Sequence, residues 1–192
     1  MTNPLLKPEE AIESILVDEA QIDKVTTRIA AEIDEKYGNS GRRLLLLGIL
    51  KGSVVFMSDL MKKLKTPVEI DFMKVSSYGA GTVSRGNVNI ILDLHRKDLH
   101  ELDIIIVEDI IDSGRTLSHL IEYLRLRGAN SVACCAMLDK PDRRDASLKD
   151  FRPEFLGVSI PDEFVVGYGL DYDEQFRALP YVGILKRSVY SE

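Results

Sequence analysis

The sequence is poor in the residues that build disulfide scaffolds and zinc sites. Its two cysteines, Cys134 and Cys135, are adjacent within an apolar run, which is typical of small core residues. They form neither a disulfide framework nor a CxxC pattern. The three histidines, His95, His100 and His119, have no metal-ligand spacing. These absences argue against a disulfide-stapled secreted protein and against a zinc protein, and we expect a reducing, cytoplasmic setting.

Long hydrophobic runs and an excess of positive charge are also missing. No apolar run approaches the ~20 residues of a membrane-spanning helix, and the polar stretch 1–11 does not resemble a signal peptide. The formal net charge is −6, whereas a protein that coats nucleic acid presents a basic face. We therefore expect neither a membrane nor a nucleic acid as a partner. The composition, 45% apolar and 29% charged, suits a single well-packed domain over 1–192.

The order of apolar patterns along the chain predicts the fold. Segments with helical patterns are 18–37, 53–64 and 115–127. Apolar runs typical of strands that are covered on both faces are 44–50, 104–107 and 132–138, and 68–75 is predicted as a further strand. Because these strands and helices alternate, we predict an α/β fold in which a central, mainly parallel sheet is flanked by helices.

Two segments depart from this alternation. Residues 76–87 lack apolar periodicity and contain three glycines. This is typical of a loop over a binding site, with 88–92 as its returning strand. After Lys140 the pattern changes to proline-containing loops and short strands, which are 155–160, 164–166 and 181–186. We interpret this part and the N-terminus as a small hood lobe, formed by about 1–17 and 141–192.

The segment 107–116, Val-Glu-Asp-Ile-Ile-Asp-Ser-Gly-Arg-Thr, contains the strongest functional signal. Ligands of open parallel sheets bind beyond the carboxyl ends of the strands, and here a buried strand ends in Glu108 and Asp109. Asp112 follows, and a Ser-Gly turn then opens a helix whose free N–H groups and dipole favour an anion. Gly114 allows close approach of the backbone. The pattern predicts a phosphate cradle without the P-loop lysine, so Walker-type ATP hydrolysis is not expected.

Three carboxylates beside an anion site would repel the ligand unless they face hydrogen-bond donors or a positive charge. Glu108 and Asp109 are suited to accept hydrogen bonds from the 2′,3′-hydroxyls of a ribose or to face a cation. Asp112 is then free to act on the reacting atoms. The ordinary alternative is that Asp112 caps the helix while the other two acids pair with surface cations.

The segment 107–116 resembles the phosphoribosyl pyrophosphate (PRPP) signature of type I phosphoribosyltransferases. Its Glu-Asp-Ile-Ile-Asp version is similar to that of the hypoxanthine-guanine phosphoribosyltransferase family. The stretch 164–172, Phe-Val-Val-Gly-Tyr-Gly-Leu-Asp-Tyr, matches the same family, and the resemblance runs from about residue 12 to residue 186. It implies the type I phosphoribosyltransferase fold and a purine salvage reaction. In that reaction, a Mg²⁺-dependent enzyme transfers the 5-phosphoribosyl group from PRPP to hypoxanthine and/or guanine, giving IMP or GMP and pyrophosphate.

The resemblance also implies a role for each matching residue. The ribose-phosphate site would consist of Glu108, Asp109, Asp112, Ser113, Gly114, Arg115 and Thr116. The pyrophosphate site would consist of Lys51, Gly52, Ser77, Tyr78 and Arg177, and the peptide bond before the lysine is often cis in the family. The purine site would consist of Lys140 at the 6-oxo group, Phe164 stacked on the base and Val165 at the base edge. Magnesium would be held by Glu108, Asp109 and Asp171, and Asp112 would take the purine N7 proton. A homo-oligomer, a dimer or a tetramer, is implied as well.

Two alternatives stay open beside this interpretation. A non-catalytic PRPP-binding regulator of the same fold can lose the base, the purine lysine or the hood, whereas this chain has candidates for all three. A xanthine-preferring enzyme is the second, because Lys140 and the hood disfavour adenine and orotate but are compatible with xanthine. Taken alone, Lys51 and Lys140 resemble solvent-facing lysines, and Phe164 resembles a core aromatic.

Overall fold

The structure, a computed structural model, describes residues 5–77 and 88–191, which form five α-helices and nine β-strands. The helices are α1 (Pro8–Ala11), α2 (Glu19–Tyr37), α3 (Ser53–Lys63), α4 (Arg115–Leu126) and α5 (Arg187–Tyr190). The strands are β1 (Ile12–Val17), β2 (Arg43–Leu50), β3 (Val68–Ser77), β4 (Val88–Leu92), β5 (Leu102–Ile111), β6 (Ser131–Asp139), β7 (Phe155–Ser159), β8 (Val165–Val166) and β9 (Val182–Leu185). Only the backbone of Ser77 and Val88 is described.

Helix α2 illustrates how the local sequence forms an element. The Asp18 carboxylate accepts a hydrogen bond from the Gln21 N–H at 2.8 Å and so caps the first turn. Ile22, Ile29 and Ile33 then recur at helical spacing and are buried. This apolar stripe is why α2 packs against the sheet together with α3.

The main sheet has six strands in the order β4-β3-β2-β5-β6-β7. Five of them are parallel, and β4 alone is antiparallel to its neighbour β3. Apolar clusters cover both faces, with α2 and α3 on one side and α4 on the other. The continuous apolar runs of β2 and β5 follow from this double coverage, and the predicted mainly parallel α/β fold is confirmed.

The winding of the chain reverses between β2 and β5. From β2 the chain passes through α3 to β3 on one side, whereas from β5 it passes through α4 to β6 and then to β7 on the other side. Ligands of open α/β sheets bind in the crevice at such a reversal, beyond the carboxyl ends of the strands. The fold therefore directs attention to the ends of these two strands, near Leu50 and Ile111.

The hood is smaller than the sequence pattern predicted. Its sheet is antiparallel with the order β1-β9-β8, so it joins the two ends of the described chain. The assignment of 155–160 to the hood is wrong, because β7 pairs in parallel with β6 and extends the main sheet. A short strand after a proline-containing loop fits either sheet, so its pattern could not decide between them.

Strand β5 is longer than its apolar run. The prediction ended it at Val107, but its pairing with β6 continues through Ile110–Leu138 and Ile111–Asp139. The two charged residues that follow Val107 interrupt the apolar pattern without interrupting the strand. Glu108 and Asp109 are thus strand residues, and strand geometry sets the directions of their side chains.

The cysteines of β6 are core residues, as predicted. Both are free thiols and buried. Cys134 belongs to the apolar cluster on the α4 side, and Cys135 belongs to the cluster on the opposite side. Within 5–77 and 88–191, no helix combines the length and the apolar character that are needed to cross a bilayer.

Candidate active site

A tight turn joins β5 to α4 at the carboxyl edge of the sheet. Gly114 precedes the first helical residue with φ of +79°, a left-handed conformation that favours glycine. The first N–H groups of a helix have no intrahelical partner. Here no capping side chain accepts from them, apart from a long contact of 3.4 Å between the Arg115 N–H and Ser113 Oγ. Ser113 and Thr116 place hydroxyl groups beside these amides. The turn 112–116 can therefore bind a phosphate with backbone donors.

Arg115, at the start of α4, does not extend freely into solvent. Its Nε donates to the Asp145 carboxylate at 2.6 Å, and the same carboxylate accepts from Ser147. These hydrogen bonds lower the pKa of Asp145 to about 2. Arg115 is thereby held at the side of the turn by the segment that follows Lys140.

The two acids of β5 lie in different surroundings. Alternation along the strand sends Glu108 towards the α4 side, near Cys134, and Asp109 towards the α3 side, near Gly52. Burial, followed by the charge of Asp109, raises the pKa of Glu108 well above its usual value. Burial also raises the pKa of Asp109 to about 6, although the Ile110 N–H donates to this carboxylate at 2.8 Å. Burial thus shifts both acids towards the protonated form, and a cation or a hydrogen-bond donor would counteract this shift.

The loop after β2 touches Asp109 directly. The Leu50–Lys51 peptide bond is cis, as the resemblance implied. A Cβ atom on Gly52 would lie 1.5 Å from Asp109 Oδ2, so only glycine fits beside that carboxylate. A Cβ on Gly169 would lie 2.1 Å from the Gly52 carbonyl oxygen. The ends of β2 and β5 and the loop after β8 therefore meet at one point.

A network of charges surrounds this meeting point. Arg177 Nη1 donates to the Gly169 carbonyl oxygen at 2.7 Å, and its Nη2 lies 2.7 Å from Asp171 Oδ1. Glu174 bridges the two cations, 2.9 Å from Lys51 Nζ and 3.4 Å from Arg177 Nη2. The hydrogen bond from Lys51 lowers the pKa of Glu174. Lys51 and Arg177, which the sequence analysis assigned to the same pyrophosphate, therefore both contact the Glu174 carboxylate.

Asp112 has partners on both its backbone and its side chain. Its carboxylate accepts from Arg143 Nε at 3.0 Å and is half exposed, and Arg143 also lies 3.8 Å from Asp162. Its carbonyl oxygen accepts from Arg144 Nη1 at 2.7 Å. The hydrogen bonds of the Asp112 side chain therefore differ from the capping role that was the ordinary alternative.

An aromatic group occupies the hood side of the crevice. Phe164 is 36% exposed, and its ring stacks on that of Tyr190 with 4.9 Å between the centroids and lies edge-on to that of Tyr172 at 5.7 Å. Val165 is buried and pairs with Ile184 in the hood sheet. Lys140 follows β6, and its N–H donates to the Ile111 carbonyl oxygen at 2.9 Å, which attaches it to the end of β5. Phe164 is thus neither a pure core residue nor a free surface residue.

The residues that could hold a magnesium ion are the carboxylates at the carboxyl edge of the main sheet. Within the described residues, no three Asp, Glu, His or Cys side chains converge into a metal cluster. Asp109 and Asp171 are nevertheless close enough to interact, since the charge of Asp171 contributes to the raised pKa of Asp109. Mg²⁺ in phosphate enzymes usually takes one or two carboxylates and completes its shell with phosphate oxygens and water. These two residues fit that pattern, whereas Glu108 lies on the other side of the strand.

Sequence reasoning did not find every residue of the site. Glu174 was missed because an exposed acid in a turn has no distinguishing pattern, and Tyr190 was missed because it lies far along the chain from Phe164. Arg144 was missed because its burial depends on the fold. Tyr78 lies outside the described residues, and of Ser77 only the backbone is described, at the end of β3. The proposed contacts of these last two residues with pyrophosphate stay predictions.

Comparison with known proteins identifies relatives of this chain. The family model of the phosphoribosyl transferase domain matches residues 14–173. The hypoxanthine-guanine phosphoribosyltransferase of Bacillus subtilis is 49% identical over 93% of this chain and 96% of its own length. A crystal structure of a hypoxanthine phosphoribosyltransferase from Staphylococcus aureus superimposes with a TM-score of 0.86 at 46% identity. That match covers 94% of this chain and 95% of the other.

A longer relative contains a similar region. The bifunctional protein TilS/HprT of Listeria innocua is 46% identical over 94% of this chain, but the match spans 27% of the length of that relative. The similarity to such proteins therefore concerns one region of them.

Proposed function

Because the chain belongs to the hypoxanthine-guanine phosphoribosyltransferase family, we propose that it transfers the 5-phosphoribosyl group of PRPP to hypoxanthine and guanine. The products are IMP or GMP and pyrophosphate. The observation that supports this proposal best is the contact between Gly52 and Asp109 at the reversal of winding. This contact brings the turn 112–116 and the cationic side chains of Lys51 and Arg177 to the same crevice.

The two anionic ends of PRPP fit two different parts of this crevice. The turn 112–116 offers backbone amides and the hydroxyls of Ser113 and Thr116 to the 5′-phosphate. Lys51 and Arg177 offer positive charge to the pyrophosphate, and their shared contact with Glu174 places them on the same side of the crevice. Asp109 lies between these parts, so we assign its carboxylate to the ribose and to the metal.

We assign the chemistry to groups around the ribose C1. The bond from C1 to pyrophosphate breaks and the bond from C1 to purine N9 forms, while positive charge develops on the ring and negative charge on the leaving group. Lys51 and Arg177 stabilise the leaving pyrophosphate, and bound Mg²⁺ supplies further charge neutralisation. The Asp112 carboxylate is half exposed at the mouth of the turn and is paired with Arg143. Once this ion pair has opened, the carboxylate accepts the N7 proton of the purine.

We assign selection of the base to Lys140 and Phe164. A lysine donor prefers the 6-oxo group of hypoxanthine or guanine to the 6-amino group of adenine. The partly exposed ring of Phe164, supported by Tyr172 and Tyr190, offers an aromatic surface for stacking. A cytoplasmic location and a homo-oligomer stay predictions.

An activity assay with four bases tests the proposal. The protein is incubated with PRPP, Mg²⁺ and each of hypoxanthine, guanine, xanthine and adenine, and nucleotide formation is followed by ultraviolet absorbance or chromatography. We expect IMP and GMP, and little or no AMP. A matched reaction with EDTA in place of Mg²⁺ should lose most of the activity.

Two outcomes would contradict the proposal. Binding of PRPP, measured by calorimetry, without nucleotide from any base would indicate a PRPP-binding regulator. Preferential formation of XMP would indicate the xanthine-preferring alternative.

A further inference from the structure

We propose that Arg144 is a positioning residue that holds the phosphate turn 112–116 in register with the purine lysine, Lys140. This role rests on the proposed function, since it concerns the binding of PRPP and of the base at that site. Arg144 lies behind the turn and is not placed to contact substrate, because its side chain is only 3% exposed.

The surroundings of Arg144 hold its guanidinium in one place. Its Nη2 forms an ion pair with Asp139, whose side chain is 2% exposed. Its Cζ lies 5.7 Å from the centre of the Phe151 ring. The stem passes under the turn, since a Cβ on Gly114 would lie 3.2 Å from Arg144 Cδ. Burial of an ion pair brings little net stability compared with apolar packing, so stability alone is a weak reason for this arrangement.

The segment after β6 binds three successive carbonyl groups at the junction between β5 and the turn. The Ile111 carbonyl oxygen accepts from the Lys140 N–H at 2.9 Å, and that of Ser113 accepts from the Asp145 N–H at 3.0 Å. Between them, the Asp112 carbonyl oxygen accepts from Arg144 Nη1 at 2.7 Å. Of these three contacts, only the Asp112 contact is made by a side chain.

The direction of these carbonyls determines the direction of the amides. In a trans peptide the C=O and the following N–H point to opposite sides. With the three carbonyls turned towards the segment 140–145, the N–H groups of residues 112–114 face away from that segment. Arg144 thus acts on the donors of the phosphate site through the Asp112–Ser113 peptide.

The same guanidinium is also linked to the purine side. Asp139, its ion-pair partner, immediately precedes Lys140, and the Asp139 carbonyl oxygen accepts from the Ile160 N–H at 2.8 Å. Arg144 therefore connects the last residue of β6 with the first residues of the turn. A shift of this guanidinium would change the distance between the phosphate donors and Lys140.

The variant Arg144→Lys tests this role. Lysine keeps the charge beside Asp139, but its single ammonium group cannot reproduce the planar fork that reaches both Asp139 and the Asp112 carbonyl. We expect kcat/KM to fall about 10- to 100-fold, with a higher KM for PRPP and for hypoxanthine, because small misplacements at a reacting centre have effects of this size. Hydrogen exchange of the amides 113–116 should be faster than in the wild type, while that of β2 stays unchanged.

Arg152→Lys is the matched control. Arg152 is exposed and donates only to the nearby Lys149 and Phe151 carbonyl oxygens among the described residues, so both KM values should stay within about twofold of the wild type. A purely structural role of Arg144 would lower the melting temperature of Arg144→Lys and leave both KM values and the amide exchange unchanged. That result would overturn the proposal.

A second variant decides the matter if Arg144→Lys does not fold. Phe151→Leu removes the ring beside the guanidinium while retaining the ion pair, and a rise of about threefold in the KM for PRPP is expected. An unchanged KM in that folded variant would contradict the positioning role. Failure of the proposed function is a separate result, since the wild type would then form no nucleotide. In that case the ratio of PRPP dissociation constants between wild type and variant still tests Arg144, and equal constants would reject it.

Discussion

At the residue scale, the backbone carbonyl and the side-chain carboxylate of Asp112 have different partners and different roles. The carbonyl oxygen is held by Arg144, whereas the carboxylate faces Arg143 at the surface of the crevice. A substitution that alters only the carboxylate therefore separates catalysis from the geometry of the turn.

Asp112→Asn is the substitution that makes this separation. The backbone hydrogen bond to Arg144 remains, so PRPP binding should change by no more than about threefold, whereas the loss of a general base should lower kcat about 100-fold or more. Steady-state kinetics with hypoxanthine measure both. Asp162→Asn, which removes the other carboxylate near Arg143, serves as the control. Turnover of Asp112→Asn close to that of the control would remove Asp112 from the role of base.

Residue patterns could predict side chains whose neighbours lie close in the sequence. The acids of 107–112 and the Ser-Gly turn were found because chemistry, strand end and helix start coincide in ten residues. Arg144, Glu174 and Tyr190 were not found, because their partners lie on other elements and burial or stacking reveals them only after folding. The predicted roles of Lys140, Val165 and Tyr78 still depend on experiment.

At the scale of elements, the segment Asp171–Arg177 is a compact turn with an unusual backbone. Asp173, Glu174 and Phe176 have φ values of +49°, +63° and +74°, which non-glycine residues seldom adopt. The Glu174 N–H donates to Asp171 Oδ2 at 2.9 Å. This turn brings the Glu174 carboxylate between Lys51 and Arg177, where a bound pyrophosphate would have to replace it.

Glu174→Gln should therefore strengthen pyrophosphate binding. Glutamine keeps the size of the side chain but removes the competing charge, and the exposed ion pairs that it replaces are weak because solvent screens them. We expect the dissociation constant of pyrophosphate, measured by calorimetry with Mg²⁺, to fall about two- to fivefold. Glu35→Gln on the exposed side of α2 makes the same change of net charge far from the site. Equal affinities in the two variants would show that Glu174 does not compete with the ligand.

The limits of strand prediction are visible in β5 and β7. The apolar run of β5 ends at Val107, but hydrogen bonds to β6 carry the strand onward to Ile111. For β7 the residues suited an edge strand of either sheet, and its partner is chosen by the tertiary packing against β6 and α2. For the main sheet and the helices α2, α3 and α4, the type of each element was thus readable from the sequence, while the end of one strand and the sheet of another were not.

At the scale of the molecule, burial of Asp109 couples folding to pH. The pKa of Asp109 is about 6 in the folded protein and about 3.9 in an unfolded chain. The folded state therefore binds this proton more tightly. The stability that this protonation contributes is fully present below about pH 4 and is lost as the pH rises through 6.

Asp109→Asn should remove that dependence in the metal-free protein. In EDTA, the wild type should lose about 2 kcal/mol relative to the variant between pH 4 and pH 7, which corresponds to roughly 4–8 °C in melting temperature for a chain of this size. Differential scanning calorimetry across this pH range measures the difference. Melting curves of the two proteins that shift in parallel with pH would contradict the assignment.

The reactivity of the adjacent thiols of β6 reports on opening of the whole molecule. Burial raises the pKa of Cys134 and of Cys135 above the ordinary range, and the two side chains point into opposite halves of the interior. A reagent such as iodoacetamide can reach both only when the central strands separate, so the alkylation rate should follow the frequency of global opening. Mass spectrometry should detect mainly the unmodified and the doubly modified protein during a time course in mild denaturant. The alkylation rate of two thiols that take no part in the reaction would thus measure how often the whole fold opens.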